Sequence, residues 1–339
     1  MADTKRLDEP GLEDLLSEPT DVARGGVRCV QGDVVVLGAG GKMGPTLAMM
    51  LKKADPKRNV YAVSRFNEEG LRRRIEDAGI NTVELDLLDD SAYGRLPDVP
   101  NVFFLAGMKF GATGKETLSW AMNALLPGMV ARHYRQARIV AFSTGNVYPF
   151  TDARSTGLTE ATPPDPVGEY AWSCLARERV FCYFSEVYGT PVALIRLNYA
   201  NEPRYGIIVD LTRKILEERA IDLTTGYVNL IWQADANNYV VAALTRVSSP
   251  PTVLNVAGAQ VLSVREVAGR IAERLDRKAA FAGSEAPTAL LSDASRCFEW
   301  FGRPPTSLEK MLDVIVPWVA GGHRTLNKPT KYDVRDGKF

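Results

Sequence analysis

The sequence predicts an α/β fold, a Rossmann-type doubly wound parallel sheet with a smaller C-terminal α/β lobe. A buried strand, a glycine-rich turn and a helix follow one another over residues 33–53. Strand-like and helix-like segments then alternate as far as residue 198, as in parallel sheets whose strands are joined by helices. With 339 residues, of which 45% are hydrophobic, the chain is long for a single core, so one large domain and a smaller lobe are expected.

The first strand–turn–helix unit has the form of a dinucleotide-binding turn. Four apolar residues from position 34 are typical of a strand buried on both faces. Gly38, Gly41 and Gly44 follow with Gly-x-x-Gly-x-x-Gly spacing, whereas Gly-x-Gly-x-x-Gly fails because its last position holds Met43. Glycines let backbone approach a pyrophosphate at a helix N-terminus. We therefore expect this turn to bind a dinucleotide rather than only to connect two elements.

The end of the second strand, expected at residues 59–64, bears on the choice of cofactor. An acidic residue here would accept hydrogen bonds from the 2′-hydroxyl of NAD. The chain instead has Ser64 followed by Arg65, and an arginine suits the 2′-phosphate of NADP. The sequence favours NADP, with NAD also possible. The alternative is that Arg65 is solvated, since three more arginines follow at residues 72–74.

The remaining strands and helices of the sheet domain follow in order. Strands are expected at residues 82–87, 101–107, 138–142 and 191–196, and helices at 69–77, 118–135 and 170–188. The third strand ends in the pair Asp86-Leu87. The fourth ends in Ala106 and Gly107, small residues that let backbone pass beneath a cofactor.

Domain boundaries follow from these elements. Residues 1–31 are expected to form an arm with one short helix near residues 12–16, and residues 32–198 the dinucleotide-binding domain, to which parts of 228–260 return. Residues 199–320 form mainly the substrate-binding lobe, with helices at 264–275 and 308–319. Capping boxes at Ser263-x-x-Glu266 and Thr306-x-x-Glu309 precede these two helices. The polar tail, residues 321–339, is expected to be disordered or laid over a neighbouring surface.

The composition argues against several classes of function. Lys+Arg and Asp+Glu both number 41, so no basic field exists to hold nucleic acid or an anionic membrane. No stretch is long and apolar enough to span a bilayer, and the N-terminal residues lack the pattern of a secretion signal. The four cysteines are far apart without a Cys-x-x-Cys pair, which argues against a metal site or disulfides. We expect a cytoplasmic protein.

A series of short motifs occurs in a fixed order along residues 32–320. They are Gly38-x-x-Gly41-x-x-Gly44, Asp86-Leu87, Phe104-Leu-Ala-Gly107, Asn123, Ser143-Thr144-x-x-Val147-Tyr148, Pro166-x-Gly-x-Tyr170 with Ser173, Ile231-Trp-Gln-Ala-Asp235-Ala, Leu254-Asn-Val-Ala-Gly258, and Ser292-Asp293 ahead of Trp300-Phe-Gly302. Their order and spacing resemble the extended short-chain dehydrogenase/reductases, specifically the NAD(P)-dependent sugar epimerase/dehydratase group. The loop Leu105-Ala-Gly-Met-Lys109 is similar to that of UDP-galactose 4-epimerases.

The resemblance implies a chemistry and a set of site residues. In that family a tyrosine acts as base or acid on a substrate hydroxyl, a Ser or Thr assists, and the nicotinamide exchanges a hydride. By position Tyr170 takes the first role and Thr144 the second. The implied cofactor contacts are Gly38, Gly41, Lys42, Met43, Gly44, Ser64, Arg65, Asp86, Leu87, Ala106, Gly107, Lys109, Asn123, Ser143 and Tyr170. The implied substrate is a sugar or sugar derivative, and the implied partner is a second copy, paired through helices 118–135 and 170–188.

One position departs from the family pattern. The family has a lysine one helical turn after the tyrosine, which holds the nicotinamide ribose and lowers the tyrosine pKa; here the residue is Cys174. A neutral thiol supplies no cation, so the sequence offers Lys109 first, and Arg177 second, as a replacement. The alternatives are that Lys109 only contacts phosphate, that Arg177 is solvated, or that Cys174 is itself a nucleophile. If no cation replaces the lysine, the protein is a cofactor-binding pseudo-enzyme or sensor.

The substrate itself is less well defined by the sequence. Arg204, Tyr205, Arg213 and Lys214 are available in the lobe for an anionic group, unless these basic residues are simply solvated. The family's Arg-x-x-Asn pattern after the sixth strand is also out of step here, since Arg196 is followed by Asn198 and Tyr199. This puts the usual nucleotide-sugar contact in doubt.

Overall fold

A seven-stranded parallel sheet lies at the centre of the molecule. The structure is a computed structural model, which describes residues 7–109, 111 and 114–338. The strands are β1 (Val34–Leu37), β2 (Val60–Ser64), β3 (Asn81–Glu84), β4 (Asn101–Phe104), β5 (Arg138–Thr144), β6 (Thr151–Asp152), β7 (Val192–Leu197), β8 (Ala200–Asn201), β9 (Ile221–Asp222), β10 (Tyr227–Asn229), β11 (Ile231–Trp232), β12 (Thr252–Val256), β13 (Val261–Ser263), β14 (Phe281–Ala282) and β15 (Thr288–Ala289).

The order of the central sheet is β12-β7-β5-β4-β1-β2-β3, with every pair parallel. The chain reverses its direction of winding between β1 and β4, and ligands of such sheets bind at the carboxyl ends of the strands beside that point. The prediction of a doubly wound, Rossmann-type parallel sheet is confirmed.

Helices cover both faces of this sheet. They are α1 (Glu9–Leu16), α2 (Asp21–Arg28), α3 (Gly44–Ala54), α4 (Leu71–Asp77), α5 (Glu116–Trp120), α6 (Leu126–His133), α7 (Glu169–Tyr188), α8 (Ile207–Leu216), α9 (Gln233–Ala242), α10 (Val264–Arg274), α11 (Ser295–Phe301) and α12 (Leu308–Ala320). Side chains of β1 alternate between two cores: Val34 and Val36 pack with α1, α3 and α9, whereas Val35 and Leu37 pack with α6 and α7. The apolar run at residues 34–37 is therefore buried on both faces, as expected.

The helix expected at residues 118–135 contains a change of winding. A π-helical turn, Ala121–Leu125, joins α5 to α6 without a break. Such turns are rare and occur frequently at functional sites. Here the turn carries Asn123, whose side chain is fully buried.

The N-terminal segment is part of the core rather than a peripheral arm. It contains α2 in addition to the expected helix near residues 12–16, and Leu12 and Leu16 of α1 are fully buried. A Cβ on Gly26 would lie 2.8 Å from Cα of Ala242 in α9. Glycine thus permits the close approach of α2 to α9.

The C-terminal lobe is built on α8, α10 and α12, while β12 returns to the edge of the central sheet. Ser263 caps α10 by accepting a hydrogen bond from the backbone N–H of Glu266, as the capping box predicts. The second predicted cap is wrong by one residue. Ser307 caps α12, because the Thr306 hydroxyl instead donates to the buried carboxylate of Asp235.

The polar tail lies over the rest of the chain without regular structure. Residues 323–338, here called the strap, run along α8 and across the lobe. Thr330 donates two hydrogen bonds to Asp210, and Asp333 pairs with Lys214 at 3.1 Å. Near its end, Gly337 packs so closely on Gly168 that a Cβ on either would lie about 2.5 Å from the other segment's carbonyl oxygens. Of the two expectations for the tail, disorder or packing over a neighbouring surface, the strap agrees with packing.

Candidate functional site

A cavity of about 340 Å³ opens at the carboxyl ends of β1, β4, β5 and β7. The glycine turn, the loop after β4, the start of α7 and the strap all contribute to its wall. Eleven predicted site residues line it: Gly38, Gly41, Lys42, Met43, Gly44, Gly107, Lys109, Asn123, Ser143, Thr144 and Tyr170. The topology thus brings together residues spread over more than a hundred positions of the chain.

The glycine turn has the close packing that a dinucleotide cradle requires. Gly38 has a φ of +87°, and a Cβ there would lie 2.6 Å from the backbone nitrogen of Ala106. A Cβ on Gly44, at the start of α3, would lie 2.5 Å from the carbonyl oxygen of Ala39. These contacts leave room for backbone only, and the N-terminus of α3 faces the cavity. The residues present fit a dinucleotide pyrophosphate.

Lys42 projects from the glycine turn toward the C-terminal lobe. Its Nζ donates to the carbonyl oxygen of Ala200 at 2.6 Å and lies 4.5 Å from the ring centroid of Tyr205. Burial lowers the pKa of Lys42 to about 7, although the carboxylate of Glu202 opposes the shift. Lys42 therefore joins the turn to the lobe and is poised to change its charge near neutral pH.

The predicted adenosine contacts lie outside the cavity. Ser64 is at the end of β2, and a Cβ on Gly40 would lie 2.4 Å from its Oγ. Arg65 is 57% exposed and lies 3.7 Å from the carboxylate of Asp86. The backbone carbonyl of Leu87 accepts a hydrogen bond from the hydroxyl of Tyr93. Ser64, Arg65 and Asp86 thus form an open edge beyond the glycine turn.

Asn123 fixes the loop that follows β4. Its side chain accepts from the backbone N–H of Met108 and donates to the Met108 carbonyl, both at 2.8 Å. It also donates to the hydroxyl of Ser173 in α7 at 3.0 Å. Because Met108 precedes Lys109, these bonds determine where Lys109 enters the cavity.

Tyr170 lies at the start of α7 and faces Thr144 at the end of β5. Both side chains line the cavity, and the Thr144 hydroxyl is close enough to lower the pKa of Tyr170. Burial raises the pKa of Tyr170 well above its ordinary value, and Cys174 adds to the shift. Burial also raises the pKa of the Cys174 thiol, so this cysteine is neutral at physiological pH. The structure gives no support for Cys174 as a nucleophile.

Two cations lie near Tyr170. Nζ of Lys109 is 5.8 Å from the centroid of the Tyr170 ring, and burial lowers the pKa of Lys109 to about 8. The guanidinium of Arg177 lowers the pKa of Tyr170. Arg177 is buried rather than solvated, and it donates to the Phe142 carbonyl at 2.8 Å and to Asn123 at 2.6 Å.

Gly107 is required by this arrangement. A Cβ at residue 107 would lie 2.3 Å from Nη2 of Arg177, so only glycine leaves space for the guanidinium. The small residues at the end of β4 thus make room for a cation as well as for a cofactor.

Ser143 and Arg196 belong to a buried network beneath the cavity. Arg196 forms an ion pair with Glu178 at 2.7 Å and donates to the hydroxyl of Tyr148. Ser143 lines the cavity, but its hydroxyl donates to Glu178. Arg196 therefore supports α7 from below, and Asn198 but not Arg196 reaches the cavity wall.

Three of the basic residues that the sequence offers for an anionic group have partners within the chain, although Arg213 and Lys214 also line a cavity between α8 and the strap. Arg204 pairs with Glu202 and Glu13, Arg213 donates to Asn327 of the strap, and Lys214 pairs with Asp333. Their partners come from distant segments that local sequence patterns do not connect. Tyr205 does line the cavity.

Several lining residues are absent from the sequence-based set. The polar ones that the sequence analysis does not name are Asn146, Asn201, Lys328 and Thr330. Lys328 and Thr330 come from the strap, whose sequence has no periodicity that would place it against α8.

Within the part of the chain that the structure describes, no helix is long and apolar enough to cross a membrane. The same residues contain no group of three or more His, Cys, Asp or Glu side chains placed to hold a metal ion.

Comparison with known proteins gives one family and many similar folds. The model of the NAD dependent epimerase/dehydratase family matches residues 34–257. No curated protein matches the chain. Among solved structures, the UDP-glucuronic acid 4-epimerase from Bacillus cereus in complex with NAD is 18% identical, with a TM-score of 0.75 over 86% of this chain and all of that chain.

Two further structures show the same fold. The UDP-glucose 4-epimerase from Thermotoga maritima is 15% identical, with a TM-score of 0.72 over 86% of this chain and 99% of that chain. The dTDP-glucose 4,6-dehydratase from Bacillus anthracis, in complex with NAD, is 16% identical, with a TM-score of 0.72 over 85% of this chain and 96% of that chain.

Proposed function

Because the chain belongs to the NAD dependent epimerase/dehydratase family, we propose that it is an oxidoreductase or epimerase/dehydratase acting on a hydroxyl of a sugar or sugar derivative. The carrying observation is that Tyr170 and Thr144 line the same cavity as the glycine turn, with Thr144 close enough to lower the pKa of Tyr170. A base, a hydroxyl that positions the substrate oxygen and a pyrophosphate cradle are the parts that hydride exchange requires.

In this proposal each residue has a defined task. The glycine turn and the N-terminus of α3 bind the pyrophosphate, and the nicotinamide, when bound, exchanges a hydride with the substrate carbon. Thr144 donates to the substrate oxygen and orients it, and Tyr170 accepts the hydroxyl proton. Tyr170 has to become a tyrosinate in a buried site, so its negative charge needs a nearby cation.

We assign the two tasks of the missing lysine to two residues. Arg177 is held by two hydrogen bonds and lowers the pKa of Tyr170, so it is the fixed cation. Lys109 lines the cavity above the Tyr170 ring, where a flexible ammonium is able to contact a ribose hydroxyl. In this assignment two cations replace the family's lysine, so Tyr170 can act as a base although residue 174 is a cysteine.

The second candidate function is that of a cofactor-binding pseudo-enzyme or sensor. It is favoured by the pKa of Tyr170, which burial and Cys174 hold well above its ordinary value despite Arg177. A tyrosine that stays protonated cannot act as a base. The protein would then bind the dinucleotide without turning over a substrate.

The decisive experiment measures nicotinamide absorbance, and the sugar products by chromatography, while the purified protein is supplied with sugars, sugar acids, sugar phosphates and nucleotide sugars. Product analysis is needed because an epimerase or dehydratase returns the hydride and leaves no net change in absorbance. We expect turnover of at least one class, and loss of at least about a hundredfold in kcat for Tyr170→Phe, the scale of a general base. Tyr183→Phe, on the exposed side of α7, is the matched control and keeps full activity. Cofactor binding without turnover of any compound would exclude the enzymatic function and support the cofactor-binding sensor.

Substitution of Cys174, the residue that differs from the family pattern, distinguishes an enzyme from a pseudo-enzyme. Cys174→Lys restores the family's residue, and Cys174→Ser is its neutral control of similar size. Activity that appears only in Cys174→Lys identifies a pseudo-enzyme. An active natural protein in which Cys174→Ser changes little supports the assignment of Arg177 and Lys109.

For the cofactor, we propose a preference for NADP over NAD. Arg65 at the end of β2 is exposed beside the position where the adenosine ribose is expected, and its contact with Asp86 is a long surface pair of small energy. Arg65→Ala should weaken NADPH binding by roughly tenfold and leave NADH binding unchanged, as measured by calorimetric titration. Equal losses for both cofactors would contradict this preference.

We also propose a homodimer formed through the helices at residues 118–135 and 170–188. The large exposed apolar residues of the described chain all lie on or beside these helices: Leu118, Trp120, Leu125, Val167, Trp172, Tyr183, Val187 and Tyr188. A group of large exposed apolar residues on one pair of helices is typical of an interface. A cytoplasmic location remains part of the proposal, and it is supported by four cysteines that form no disulfide.

A further inference from the structure

The end of the strap is attached to the segment that follows β5. Arg335 donates two hydrogen bonds to Thr288, one to its carbonyl oxygen at 2.8 Å and one to its hydroxyl at 2.7 Å. The guanidinium also lies 4.0 Å from the ring centroid of Phe150, which comes soon after β5 and its last residue, Thr144. Arg335 therefore links the strap to the segment that carries one of the two proposed reactive side chains.

A second contact links the strap to the segment that carries the other, Tyr170. A Cβ on Gly337 would lie 2.5 Å from the carbonyl oxygen of Val167, and a Cβ on Gly168 would lie 2.5 Å from that of Gly337. Gly168 is the N-cap of α7, and its carbonyl accepts a hydrogen bond from the backbone N–H of Trp172 at 3.1 Å. The strap thus contacts the backbone at the point where the helix of Tyr170 begins.

The two contacts lie around one small cavity of about 10 Å³. Its wall includes Asn146 and Phe150 after β5, Val167 before α7, and Val334 and Gly337 of the strap. We call this place, where residues 146–150, 167–168 and 334–337 meet, the junction. A space of this size holds no more than about one water molecule, so the three segments are closely packed.

Asn146 connects the junction to Thr144. The Thr144 hydroxyl donates to Oδ1 of Asn146 at 3.0 Å, and the backbone N–H of Asn146 donates to the Thr144 hydroxyl at 3.2 Å. Asn146 lines the main cavity as well as the junction. A shift of the strap end would therefore reach Thr144 through Asn146, and Tyr170 through Gly168.

We propose that Arg335 and Gly337 are positioning residues, which hold Tyr170 at its working distance from Thr144. The proposal rests on the proposed function for the reaction in which these two side chains take part. Neither strap residue touches the substrate, because both act through the junction. Misplacement of reacting groups by about 1 Å costs on the order of a hundredfold in rate, so contacts outside the cavity are able to control kcat.

Variants of Arg335 in the full-length protein give the first test. Arg335→Met removes both hydrogen bonds to Thr288 and the charge beside Phe150. It should lower kcat by at least about tenfold, while KM and the affinity for the cofactor change by less than about threefold. Arg335→Lys keeps a cation beside Phe150 and should recover part of the loss.

The control for Arg335 is an exposed arginine outside the strap. Arg303 lies 5.7 Å from the ring centroid of Phe298, so Arg303→Met also removes a cation from an aromatic ring. It should match the natural protein. An unchanged kcat in Arg335→Met, or a change confined to KM, overturns the proposal.

Glycine 337 gives a second, independent test. The Cβ of Gly337→Ala would collide with the backbone of Val167, so this variant should also lower kcat. Gly322→Ala is the matched control: its φ of +70° is close to the +76° of Gly337, but a Cβ there has nothing within 4 Å. Both substitutions therefore strain the backbone, and only one disturbs the junction. Equal losses of kcat in the two variants overturn the proposal.

The ionisation of Tyr170 separates failure of this proposal from failure of the proposed function, because it needs no substrate. Burial is the largest cause that raises the pKa of Tyr170, Cys174 adds to it, and Arg177 opposes it. If the start of α7 moves toward solvent, the effect of burial decreases, so Arg335→Met and Gly337→Ala should both lower the ionisation midpoint. The midpoint is read from tyrosinate absorbance against the corresponding Tyr170→Phe proteins.

Each combination of results has one meaning. A lower midpoint in variants of a protein that turns over no substrate supports the positioning role and refutes the proposed enzyme. A natural protein that is active, with variants that keep its midpoint and its kcat, supports the enzyme and refutes the positioning role.

Discussion

Residue 174 lies one helical turn after Tyr170, and a lysine there would place its ammonium beside the tyrosine hydroxyl. With Cys174 in that position the nearby positive charges come from Arg177, later on the same helix, and from Lys109, after β4. Both cations depend on Asn123, which accepts a hydrogen bond from Arg177 and binds the backbone of Met108. The side chains that place positive charge near Tyr170, and the one that holds them, thus come from three segments of the chain.

Removing the fixed cation should make Tyr170 harder to ionise. In Arg177→Met the midpoint of Tyr170 ionisation moves to higher pH, because the guanidinium that lowers its pKa is gone while burial still raises it. The midpoint is read from the ultraviolet absorbance of tyrosinate, as the difference between each protein and its Tyr170→Phe counterpart. Arg179→Met, a neighbouring arginine on α7, is the control. An unchanged midpoint in Arg177→Met would contradict the role of Arg177.

Lys42 should make stability depend on pH. Burial lowers its folded-state pKa to about 7, whereas a lysine in the unfolded chain titrates near ~10.4. Between these values the unfolded chain holds more protons, so the free energy of unfolding rises with pH. Below about pH 7 Lys42 is charged in the folded protein, so the free-energy cost of burying this charge is present in full. Lys42→Met should therefore gain most in stability, relative to the natural protein, at pH 6.

The measurement for Lys42 is urea unfolding of both proteins at pH 6, 7.5 and 9. The advantage of Lys42→Met should shrink steadily across this series, since the natural protein improves as Lys42 loses its proton. Lys278→Met, at an exposed position, serves as the control. A difference between Lys42→Met and the natural protein that is constant with pH would contradict the prediction.

At the residue scale, sequence reasoning succeeds where a backbone pattern is local. The spacing of Gly38, Gly41 and Gly44, and the positions of Thr144 and Tyr170, can be read from the chain because strand ends and helix starts place them. Lys328 could not be found in this way, because its neighbours depend on the path of the strap. For the same reason the contact of Arg213 with Asn327, which lies 114 residues away, could not be predicted.

At the scale of elements, the β1–α3 unit depends on the close packing of Gly44 against the turn. A Cβ there meets the backbone of Ala39, so strand, turn and helix would have to separate. We expect Gly44→Ala to destabilise the protein by roughly 1–3 kcal/mol, the usual cost of overpacking, and to weaken cofactor binding. Thermal unfolding and calorimetric titration measure the two effects.

A matched glycine in a helix gives the control. A Cβ on Gly25 of α2 has nothing within 4 Å, so Gly25→Ala should raise stability by about 0.5–1 kcal/mol through the unfolded chain and leave cofactor binding unchanged. If Gly44→Ala behaves like Gly25→Ala, close packing is not the reason for the glycine in the turn.

Elements were predicted well where hydrophobic periodicity is strong and missed where tertiary contacts decide. The strand expected at residues 191–196 is found at Val192–Leu197. The helix α2 was not expected, because Gly25 and Gly26 argue against a helix, yet Gly26 is what allows its approach to α9. The π-helical turn is also beyond prediction from periodicity, since its winding is linked to the contacts of the buried Asn123.

At the scale of the whole molecule, the exposed apolar face on the helices before and after β5 predicts a dimer. Leu125 is 60% exposed and Tyr183 57% exposed, values that a monomer would leave in contact with water. The double variant Leu125→Glu, Tyr183→Glu should be monomeric by light scattering coupled to gel filtration, because two buried carboxylates would face each other across the interface. Lys278→Glu, away from this face, should keep the state of the natural protein. A natural protein that is already monomeric would refute the interface.

Ion pairs join the described parts of the two terminal segments to the molecule. Arg324, at the start of the strap, pairs with Glu9 of α1 and with Glu68 before α4, each at 2.9 Å. The sequence predicts an N-terminal arm with a short helix and a tail that is disordered or laid over a neighbouring surface, but it does not indicate which residues these segments contact. Their placement follows from contacts between residues more than 250 positions apart, which composition does not reveal.

The contact between Gly168 and Gly337 has a consequence for the evolution of this protein. Position 168 immediately precedes the helix that carries Tyr170, and any side chain there collides with backbone of the strap. Related proteins that keep the strap are therefore expected to keep glycine at both positions, whereas those that have lost it are released from the constraint at 168. Substitutions at positions 168 and 337 should therefore be correlated among relatives. A glycine at both positions would identify, from sequence alone, the relatives whose pocket is closed by a strap.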